Sequence, residues 1–305
     1  MPRLKILEWN INQRTTGNRM PDYIIPEILA KDPDVIVLVE FKGEENLTTL
    51  KAGLSDEYFL ASYHGVCESK DNADKNKTGN GIFIALKKDK FEDTTSKSTS
   101  QQAFSSKHKS YDEPNWLRIP GTLKDKDIKQ TIEIVGVRVR IGNEKKKENE
   151  ALKSIKRQIS WICSENKNDS PLLMIGDLNY GPHRTDKIMR DSLNWQDIIE
   201  VMRQKGALKI EGVTKLADVD FKSYSPYSPY APAGYSFKGE TLDWLVARNI
   251  SIDTASDYNA FSWQFGKHNT RKFVPGYLTL DNYFIRTDPS HPDHAIFTVM
   301  VDIPE

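Results

Sequence analysis

The sequence predicts an α/β protein with mixed β-sheets, because strand and helix patterns alternate along the chain and long loops separate them. Short, continuous apolar runs recur from the first residues to the last, as is typical of strands that are buried on both faces. Between them, apolar residues repeat every three or four positions, which indicates helices with one buried face. A hydrophobic fraction of 38% supports a sizeable core.

Strand patterns dominate the first half of the chain. The predicted strands there cover residues 4–9, 35–39, 81–86 and 132–140. The second of these runs is uninterrupted by polar residues and ends abruptly in Glu40, whereas the last alternates between apolar and polar positions. Residues 23–29 have the mixed spacing of a short helix, with Pro26 close to its first turn.

Strands and amphipathic helices alternate in the second half. Predicted strands cover residues 172–175, 242–246 and 295–301. One predicted helix lies between residues 147 and 165, where apolar residues recur at steps of three, four and three: Leu152, Ile155, Ile159 and Ile162. A second helix is predicted around residues 194–205.

Three stretches lack a core pattern. Residues 67–80 and 93–115 are almost entirely polar and are predicted to be surface loops. Residues 222–239 interleave tyrosines with prolines and are predicted to form a rigid Tyr/Pro loop. Because no change in composition is sharp enough to mark a domain boundary, residues 1–305 are expected to form one domain with these loops as insertions.

Composition limits the classes of function. The chain has 43 basic and 43 acidic side chains, which argues against a protein that holds nucleic acid by bulk electrostatics alone. Its two cysteines are too few for a disulfide scaffold. No apolar run approaches the roughly 20 residues that cross a bilayer. The N-terminus also lacks the pattern of a signal peptide, so a cytoplasmic protein is expected, of undetermined oligomeric state.

Polar residues with useful chemistry lie next to the apolar runs. Directly after such runs come Asn10, Glu40, Asp177 and Asn179, and directly before the last one come Asp293 and His294. Taken singly, each could be a turn residue, a helix cap or a surface ion pair. Asp243 is different because Leu242 and Trp244 flank it within a predicted strand, and a buried carboxylate needs a partner.

Taken in order, these residues lie in five motifs that resemble the endonuclease/exonuclease/phosphatase superfamily, which has the DNase I-like fold. The motifs are EWNIN (8–12), VIVLVEF (35–41), LLMIGDLNYGP (172–182), TLDWLV (241–246) and SHPDHAIFTV (290–299). They run from the first predicted strand to the last, so the resemblance covers nearly the whole chain. It implies a four-layer α/β/β/α sandwich with two mixed β-sheets, and metal-dependent hydrolysis of a phosphate ester.

The resemblance also implies a metal site. Glu40 would be the principal Mg²⁺ ligand, with Asn10, Asn12 and Asp293 beside it, and Mn²⁺ is expected to substitute. The residue types suit that role, because Mg²⁺ takes hard oxygen ligands and is often bound through only one or two carboxylates. The family's glycine after the first motif is absent, since Gln13 stands there.

Four residues would carry the catalytic step by the same resemblance. Asp177 would orient or deprotonate the attacking water, and Asn179 would donate to a phosphate oxygen. His294 would stabilise the charge on the pentavalent phosphorus, while Asp243 would fix the orientation of its ring. A histidine that is held by a buried aspartate is kept in one tautomer, which suits the donor that an anionic transition state needs.

Substrate-binding residues are less clearly indicated. Many family members carry a His or Tyr after the strand that here reads VGVRVRIG, whereas this chain has Arg138 and Arg140. These arginines could contact a phosphate, together with Arg184, or could simply occupy exposed positions of an alternating strand. Tyr227 and Tyr230 of the Tyr/Pro loop could stack on bases.

The leading hypothesis from the sequence is a Mg²⁺-dependent nuclease that cleaves DNA or RNA by in-line attack of an activated water. The alternative is a phosphatase or a phospholipase C-type phosphodiesterase of the same fold, acting on inositol phosphates or sphingomyelin. GDLNY is reminiscent of inositol-phosphate 5-phosphatases, but TLDWL replaces the Cys-Asp-Arg run of that group. The sequence does not distinguish DNA from RNA, or endonuclease from exonuclease action.

Overall fold

A computed structural model describes residues 2–12, 20–41, 43–63, 81–101, 115–124, 130–138, 171–179, 227–232, 236, 242–263, 265, 292 and 294–303. Within these residues, a short 3-10 turn (Thr95–Lys97) accompanies the following strands and helices: β1 (Arg3–Asn10), α1 (Ile24–Ala30), β2 (Val35–Phe41), α2 (Gly43–Leu54), β3 (Tyr58–Tyr63), β4 (Gly81–Lys87), β5 (Thr99–Gln101), β6 (Asn115–Thr122), β7 (Thr131–Arg138), β8 (Leu172–Asp177), β9 (Tyr227–Tyr230), β10 (Asp243–Arg248), β11 (Ser251–Ile252), β12 (Ala260–Ser262) and β13 (Ile296–Asp302).

The strands form two mixed sheets. In the first sheet the strand order is β11-β13-β1-β2-β4-β3, and β12 also pairs with β13. In the second sheet the order is β5-β6-β7-β8-β10-β9. The pairs β1/β2 and β7/β8 are parallel and the remaining described pairs are antiparallel. Each sheet therefore has one parallel pair near its centre.

The two sheets pack face to face around one apolar cluster. Val37 and Ile84 of the first sheet lie in the same buried cluster as Leu173 and Ile175 of the second. Gly136 allows the close approach, since a Cβ there would come within 2.8 Å of side-chain atoms of the first sheet. This packing of two mixed sheets confirms the sandwich that the sequence predicted.

The outer face of the first sheet is covered by the two helices. Ile28 of α1 and Leu50 of α2 are fully buried in a second cluster with Trp9 and Leu38, which lie on the opposite side of their strands from the central cluster. The predicted helices at 147–165 and 194–205 lie outside the described residues. Among the described residues, no helix combines the length and apolar character needed to span a membrane.

The seven predicted strands and the helix predicted at 23–29 are confirmed, with the strand predicted at 132–140 described as far as its Arg138. The loop predictions were wrong in two places. Thr99–Gln101, within the polar segment 93–115, pairs with β6, and Tyr227–Tyr230, within the Tyr/Pro segment, pairs with β10. Both are edge strands, where a polar side chain or a proline is tolerated because one side of the backbone needs no partner. The single-domain organisation stays a prediction.

Candidate active site

Four buried polar residues from both sheets meet at one end of the sandwich. Asn10 is the last residue of β1, Asp177 is the last of β8, and Asp243 is the first of β10. Asp243 lies directly opposite Asp177 in the antiparallel pair of β10 and β8. His294 stands just before β13, and all four residues are at most 4% exposed. The sandwich therefore brings these sequence-predicted residues together in one cluster, which we call the strand-end cluster.

The Asp177 carboxylate is held by three hydrogen-bond donors. The Asn179 amide N–H donates to Asp177 Oδ1 over 2.7 Å, and the Asn179 side chain donates to Oδ2 over 2.9 Å. Asn10 Nδ2 donates to the same Oδ2 over 3.0 Å. A carboxylate has about four acceptor sites, so one site on Oδ1 is left by these bonds. The Asp177 carboxylate is thus held in position, and it can still accept a further hydrogen bond.

The backbone around Asp177 bends in a way that only particular residues allow. Gly176 has φ of +152°, and a Cβ there would lie 2.0 Å from the carbonyl oxygen of Val137. Asn179 has φ of +50°, a left-handed conformation that asparagine tolerates better than most residues. The motif Gly-Asp-Leu-Asn therefore ends the strand with a turn that folds Asn179 back onto Asp177.

His294 is held by Asp243 through its ring and by Trp9 through its backbone. His294 Nδ1 lies 2.7 Å from Asp243 Oδ2, and the carboxylate assigns the proton to Nδ1, so that the ring donates. Trp9 Nε1 donates to the His294 carbonyl oxygen over 3.1 Å. The other ring nitrogen, Nε2, is then directed to Asn10 Nδ2 at 3.5 Å. Asp243 therefore holds one nitrogen of the His294 ring, and Asn10 lies beside the other.

Ser236 connects the backbone segments that carry Asp243 and His294, and no sequence pattern indicated this role. Its hydroxyl oxygen accepts from the amides of Leu242 and Asp243 over 2.9 and 3.1 Å. Its carbonyl oxygen accepts from the amide of Ala295, the residue after His294, over 2.8 Å. Ser236 is fully buried and lies in the segment that was predicted to be a Tyr/Pro loop. One buried serine therefore ties the start of β10 to the start of β13.

Glu40 reaches the inter-sheet face because β2 is irregular there. Regular alternation would place it on the outer face with Leu38, but the pairing of β2 with β4 shifts register between Val39 and Phe41. Glu40 has φ of +59°, an uncommon conformation for a residue with a side chain. Phe41, rather than Glu40, consequently packs in the outer cluster.

The Glu40 carboxylate is paired with Arg138. Both Nε and Nη2 of Arg138 contact Glu40 Oε1, and each side chain is at most 3% exposed. Ile132, Ile134 and Gly136 share the inter-sheet face of β7, and alternation puts Arg138 on that same face. The interpretation of Arg138 as an exposed strand residue was therefore wrong.

Glu8 is a further carboxyl group at this end of the sandwich, and no sequence pattern singled it out. It lies two residues before Asn10 on the same face of β1 and is fully buried. Among the described residues, neither of its oxygens has a hydrogen-bond partner. Burial raises the pKa of Glu8 well above its ordinary value, and the charges of Asp243 and Asp177 raise it further. Glu8 therefore holds its proton more strongly than an exposed glutamate does.

Burial and the neighbouring charges bring the pKa of Asp177 close to neutral pH. Burial raises the pKa of Asp177 to about 7, with Asp243 and Glu40 adding to the increase. His294 and Arg138 act in the opposite direction because their positive charge favours the carboxylate. A carboxyl group with this pKa is able to take up and release a proton near neutral pH.

The donor set fits a divalent cation. The potential ligand atoms of Asp177, Asp243 and His294 all lie within 4.8 Å of one another. Asp243 Oδ1 is buried without a hydrogen-bond partner among the described residues, which leaves an oxygen for a ligand. Glu40 adds a further carboxylate, although Arg138 already contacts one of its oxygens. Carboxylate oxygens are the ligands that Mg²⁺ and Mn²⁺ prefer.

The remaining predicted site residues are placed as follows. Asn12 is buried beside the cluster, and its amide N–H donates to Asn10 Oδ1 over 3.0 Å. Tyr227 and Tyr230 are the two ends of β9, next to β10, and only their backbone is described. Three further predicted residues lie outside the described residues: Asp293, Arg140 and Arg184.

The Endonuclease/Exonuclease/phosphatase family is matched by residues 7–262. The chain belongs to this family. Members of the endonuclease/exonuclease/phosphatase family are hydrolases that act on phosphodiester bonds, and they generally depend on a divalent metal. No curated protein sequence matches the chain.

Solved structures with this fold align over nearly the whole chain. The human Nocturnin catalytic domain with bound sulfate has 16% identity and a TM-score of 0.54, covering 99% of this chain and 95% of that one. ANGEL2, described as a 2′,3′-cyclic phosphatase in complex with adenosine-2′,3′-vanadate, has 12% identity and a TM-score of 0.57, with 98% and 95% covered. D. rerio TDP2 complexed with a single-strand DNA product has 14% identity and a TM-score of 0.52, with 98% and 99% covered. At these identities the likeness shows the fold alone.

Proposed function

We propose that this chain is a Mg²⁺- or Mn²⁺-dependent nuclease, which hydrolyses a phosphodiester bond of DNA or RNA by in-line attack of an activated water. The observation that carries the proposal is the hydrogen-bonded strand-end cluster. In it the Asn10 side-chain amide donates to Asp177 Oδ2 over 3.0 Å and lies 3.5 Å from His294 Nε2. A carboxylate that can act as a base and an imidazole that can stabilise charge are thereby held side by side, which suits hydrolysis of a phosphate ester.

Asp177 is proposed as the general base. Its Oδ1 keeps an acceptor site for a water molecule, while Asn10 and Asn179 hold the carboxylate in place. The proton of the water passes to Asp177 as the water oxygen bonds to phosphorus and the bond to the leaving oxygen breaks. The pKa of about 7 supports this role, since a general base works best when its pKa is near the working pH.

His294 is proposed to stabilise the charge that develops on the phosphate oxygens. Asp243 fixes the ring through Nδ1, so Nε2 of the doubly protonated imidazolium is the nitrogen that would donate to an equatorial oxygen. Asn179 is proposed as a second donor to the phosphate, in keeping with its place beside Asp177. Donors that are fixed before the reaction cost no reorganisation when the charge appears.

Glu40 and Asn10 are the proposed metal ligands, with Asn12 and Asp293 as further candidates from the motif positions. A bound Mg²⁺ or Mn²⁺ would polarise the phosphate and neutralise negative charge in the transition state. The Asp177–Asp243–His294 group is an alternative ligand set, because its potential ligand atoms lie close together.

Two considerations favour a polynucleotide strand as the substrate. Two of the fold relatives are seen in complex with a single-strand DNA product (TDP2) and with adenosine-2′,3′-vanadate (ANGEL2), both of them phosphate-type ligands of nucleotides or nucleic acid. In this chain β9 lies beside β10, which begins with Asp243. Tyr230 of β9 is opposite Leu245, two residues from Asp243, whereas Tyr227 is opposite Arg248 at the other end of β10. Aromatic side chains next to a phosphate-binding site can stack on bases for about 1–3 kcal/mol each.

A substrate panel tests the proposal. Supercoiled plasmid, single-stranded DNA and RNA oligonucleotides, an inositol phosphate, sphingomyelin and a small chromogenic phosphodiester are assayed side by side with Mg²⁺. We expect hydrolysis of a nucleic acid, and a loss of about 10³-fold or more in the Asp177→Asn variant. Circular dichroism of that variant should remain that of the wild type. Turnover of the inositol phosphate or sphingomyelin alone would replace the nuclease proposal with the phosphatase or phospholipase alternative.

The double variant Tyr227→Ala/Tyr230→Ala separates nucleic-acid binding from the chemical step. We expect weaker oligonucleotide binding with nearly unchanged hydrolysis of the small phosphodiester. Equal losses on both substrates would show that these tyrosines stabilise β9 and do not bind bases. No loss on either substrate would contradict their role in binding.

A further inference from the structure

The buried pair between Arg138 and Glu40 joins the two sheets at the edge of the strand-end cluster. Arg138 ends β7 in the second sheet, and Glu40 lies at the irregularity of β2 in the first. Nε and Nη2 both contact Glu40 Oε1, and the two side chains are 2% and 3% exposed. Arg138 also stands directly beside Asp177 in the parallel pair of β7 and β8. The residue whose guanidinium group contacts the proposed metal ligand is therefore the strand neighbour of the proposed base.

A guanidinium group and a divalent cation can each compensate the negative charge of the buried Glu40 carboxylate. A buried carboxylate is costly unless a positive charge compensates it, and in this structure Arg138 supplies that charge. The irregular backbone of Glu40, with φ of +59° at the register shift of β2, places its carboxylate on the inter-sheet face. The Arg138 side chain thus already occupies part of the position at which a metal ion would bind the Glu40 carboxylate.

We propose that Arg138 competes with the divalent cation for Glu40, and that cation binding releases guanidinium donors to the substrate phosphate. This inference rests on the proposed function, since it assumes a cation at Glu40. Arginine suits such an exchange because its planar fork binds a carboxylate or a phosphate in the same manner. Metal binding and phosphate binding would then be coupled through a single side chain.

Metal affinity in the absence of substrate tests the competition. Calorimetric titration with Mn²⁺ is carried out on the wild type and on Arg138→Met, which removes the charge and keeps an unbranched side chain. We expect the variant to bind Mn²⁺ more tightly by about tenfold or more, within the usual range for coupled binding. Equal or weaker binding by Arg138→Met would overturn the inference.

Arg118 offers a matched control on the neighbouring strand. Arg118 Nε donates to Glu133 Oε2 over 2.7 Å, an Arg–Glu pair of the second sheet that is partly exposed. We expect Arg118→Met to bind Mn²⁺ as the wild type does, and an equal gain in affinity in this variant would show a general effect of charge and contradict the inference. If Arg138→Met does not fold, Arg138→Gln also removes the charge and keeps a polar side chain, and it should still bind Mn²⁺ more tightly than the wild type.

Phosphate binding tests the second half of the inference. At saturating Mg²⁺, we expect Arg138→Met to bind inorganic phosphate more weakly by about tenfold or more, because the released donors are gone. Unchanged phosphate affinity would contradict that half. A wild type that binds no Mn²⁺ would overturn the proposed metal site as well, whereas a wild type that binds Mn²⁺ like Arg138→Met would overturn this inference alone.

Discussion

Asp177 and Asp243 face each other across β8 and β10, yet the two carboxylates are held in different ways. Asp177 accepts three hydrogen bonds from two asparagines, whereas Asp243 accepts one from the His294 ring. Asp243 Oδ1 has no hydrogen-bond partner among the described residues. Paired carboxylates in different environments can take different roles, and here one is suited to act on water and the other to orient an imidazole.

The Asp243–His294 hydrogen bond predicts non-additive effects on catalysis. His294→Ala should lower kcat by about 10³-fold or more, because the donor to the phosphate is lost. Asp243→Asn should cost less, since the ring remains but is held less firmly. The double variant should be scarcely worse than His294→Ala, because Asp243 acts through His294. A double-mutant cycle of kcat values measures this coupling, and independent multiplication of the two losses would disprove it.

Glu8 predicts a pH dependence of stability. Its pKa in the folded protein lies well above the ordinary value of 4.5, so the folded state binds the proton more tightly than the unfolded state does. The stabilisation from this proton is complete below that ordinary pKa and is lost as pH rises through the folded pKa. Each unit between the two pKa values corresponds to about 1.4 kcal/mol.

Glu8→Gln should therefore gain stability relative to the wild type as pH rises from about 5 to 8. The free energy of unfolding, measured with urea at several pH values, gives this difference directly. Glu57→Gln, which changes an exposed turn residue, is the control and should show no trend. A pH-independent difference between Glu8→Gln and the wild type would show that the carboxyl group is not neutral in the folded protein.

At the scale of elements, the chemistry depends on where strands end and how their backbones bend. Three of the five described non-glycine residues with positive φ belong to this site: Asn12, Glu40 and Asn179. Asn12 and Asn179 follow β1 and β8, and Glu40 is the last residue but one of β2; the inner residues of all three strands pack in the central core. Backbone conformations of this kind cost free energy, and they persist where the surrounding packing enforces them.

Gly176→Ala tests the turn after β8. The added Cβ would clash with the carbonyl oxygen of Val137, and φ of +152° is strained for alanine. We expect a loss of more than about 2 kcal/mol in the free energy of unfolding, with loss of hydrolysis. Ala247→Gly, one residue before the end of β10, is the control and should cost about 1 kcal/mol. Similar losses in both variants would contradict a special requirement at Gly176.

The sequence predicted strands correctly where the apolar residues of the strand itself form a clear pattern. The continuous apolar runs of β2 and β8 predicted both strands and the polar residues at their ends. The edge strands β5 and β9 were missed because edge positions admit polar residues and proline, which erase the pattern. Helix α2 was missed too, since most of its residues are polar or exposed.

Contacts between distant residues could not be predicted in the same way. Arg138 and Glu40 are 98 positions apart, and their pairing depends on the packing of two sheets and on one irregularity in β2. The roles of Ser236 and Glu8 likewise follow from the assembly of β1, β10 and β13, not from any local pattern. Alternation shows which face a side chain occupies, but not which residue it meets across the core.

At the scale of the whole molecule, neither sheet carries the proposed machinery alone. Asn10 and Glu40 come from the first sheet, while Asp177, Asp243 and Arg138 come from the second. The face-to-face packing of the sheets therefore sets the distances on which hydrolysis would depend. Variants that shift one sheet against the other should lower activity before they unfold the protein.

The dependence of hydrolysis on a divalent cation tests the central claim most directly. The measurement is the initial rate on a single-stranded oligonucleotide as Mg²⁺ is added to EDTA-treated protein, for the wild type and for Glu40→Gln. The wild type should be active only with Mg²⁺ or Mn²⁺, and Glu40→Gln should need more metal and lose about 10²-fold or more in turnover. Full activity of the wild type in excess EDTA would contradict the account.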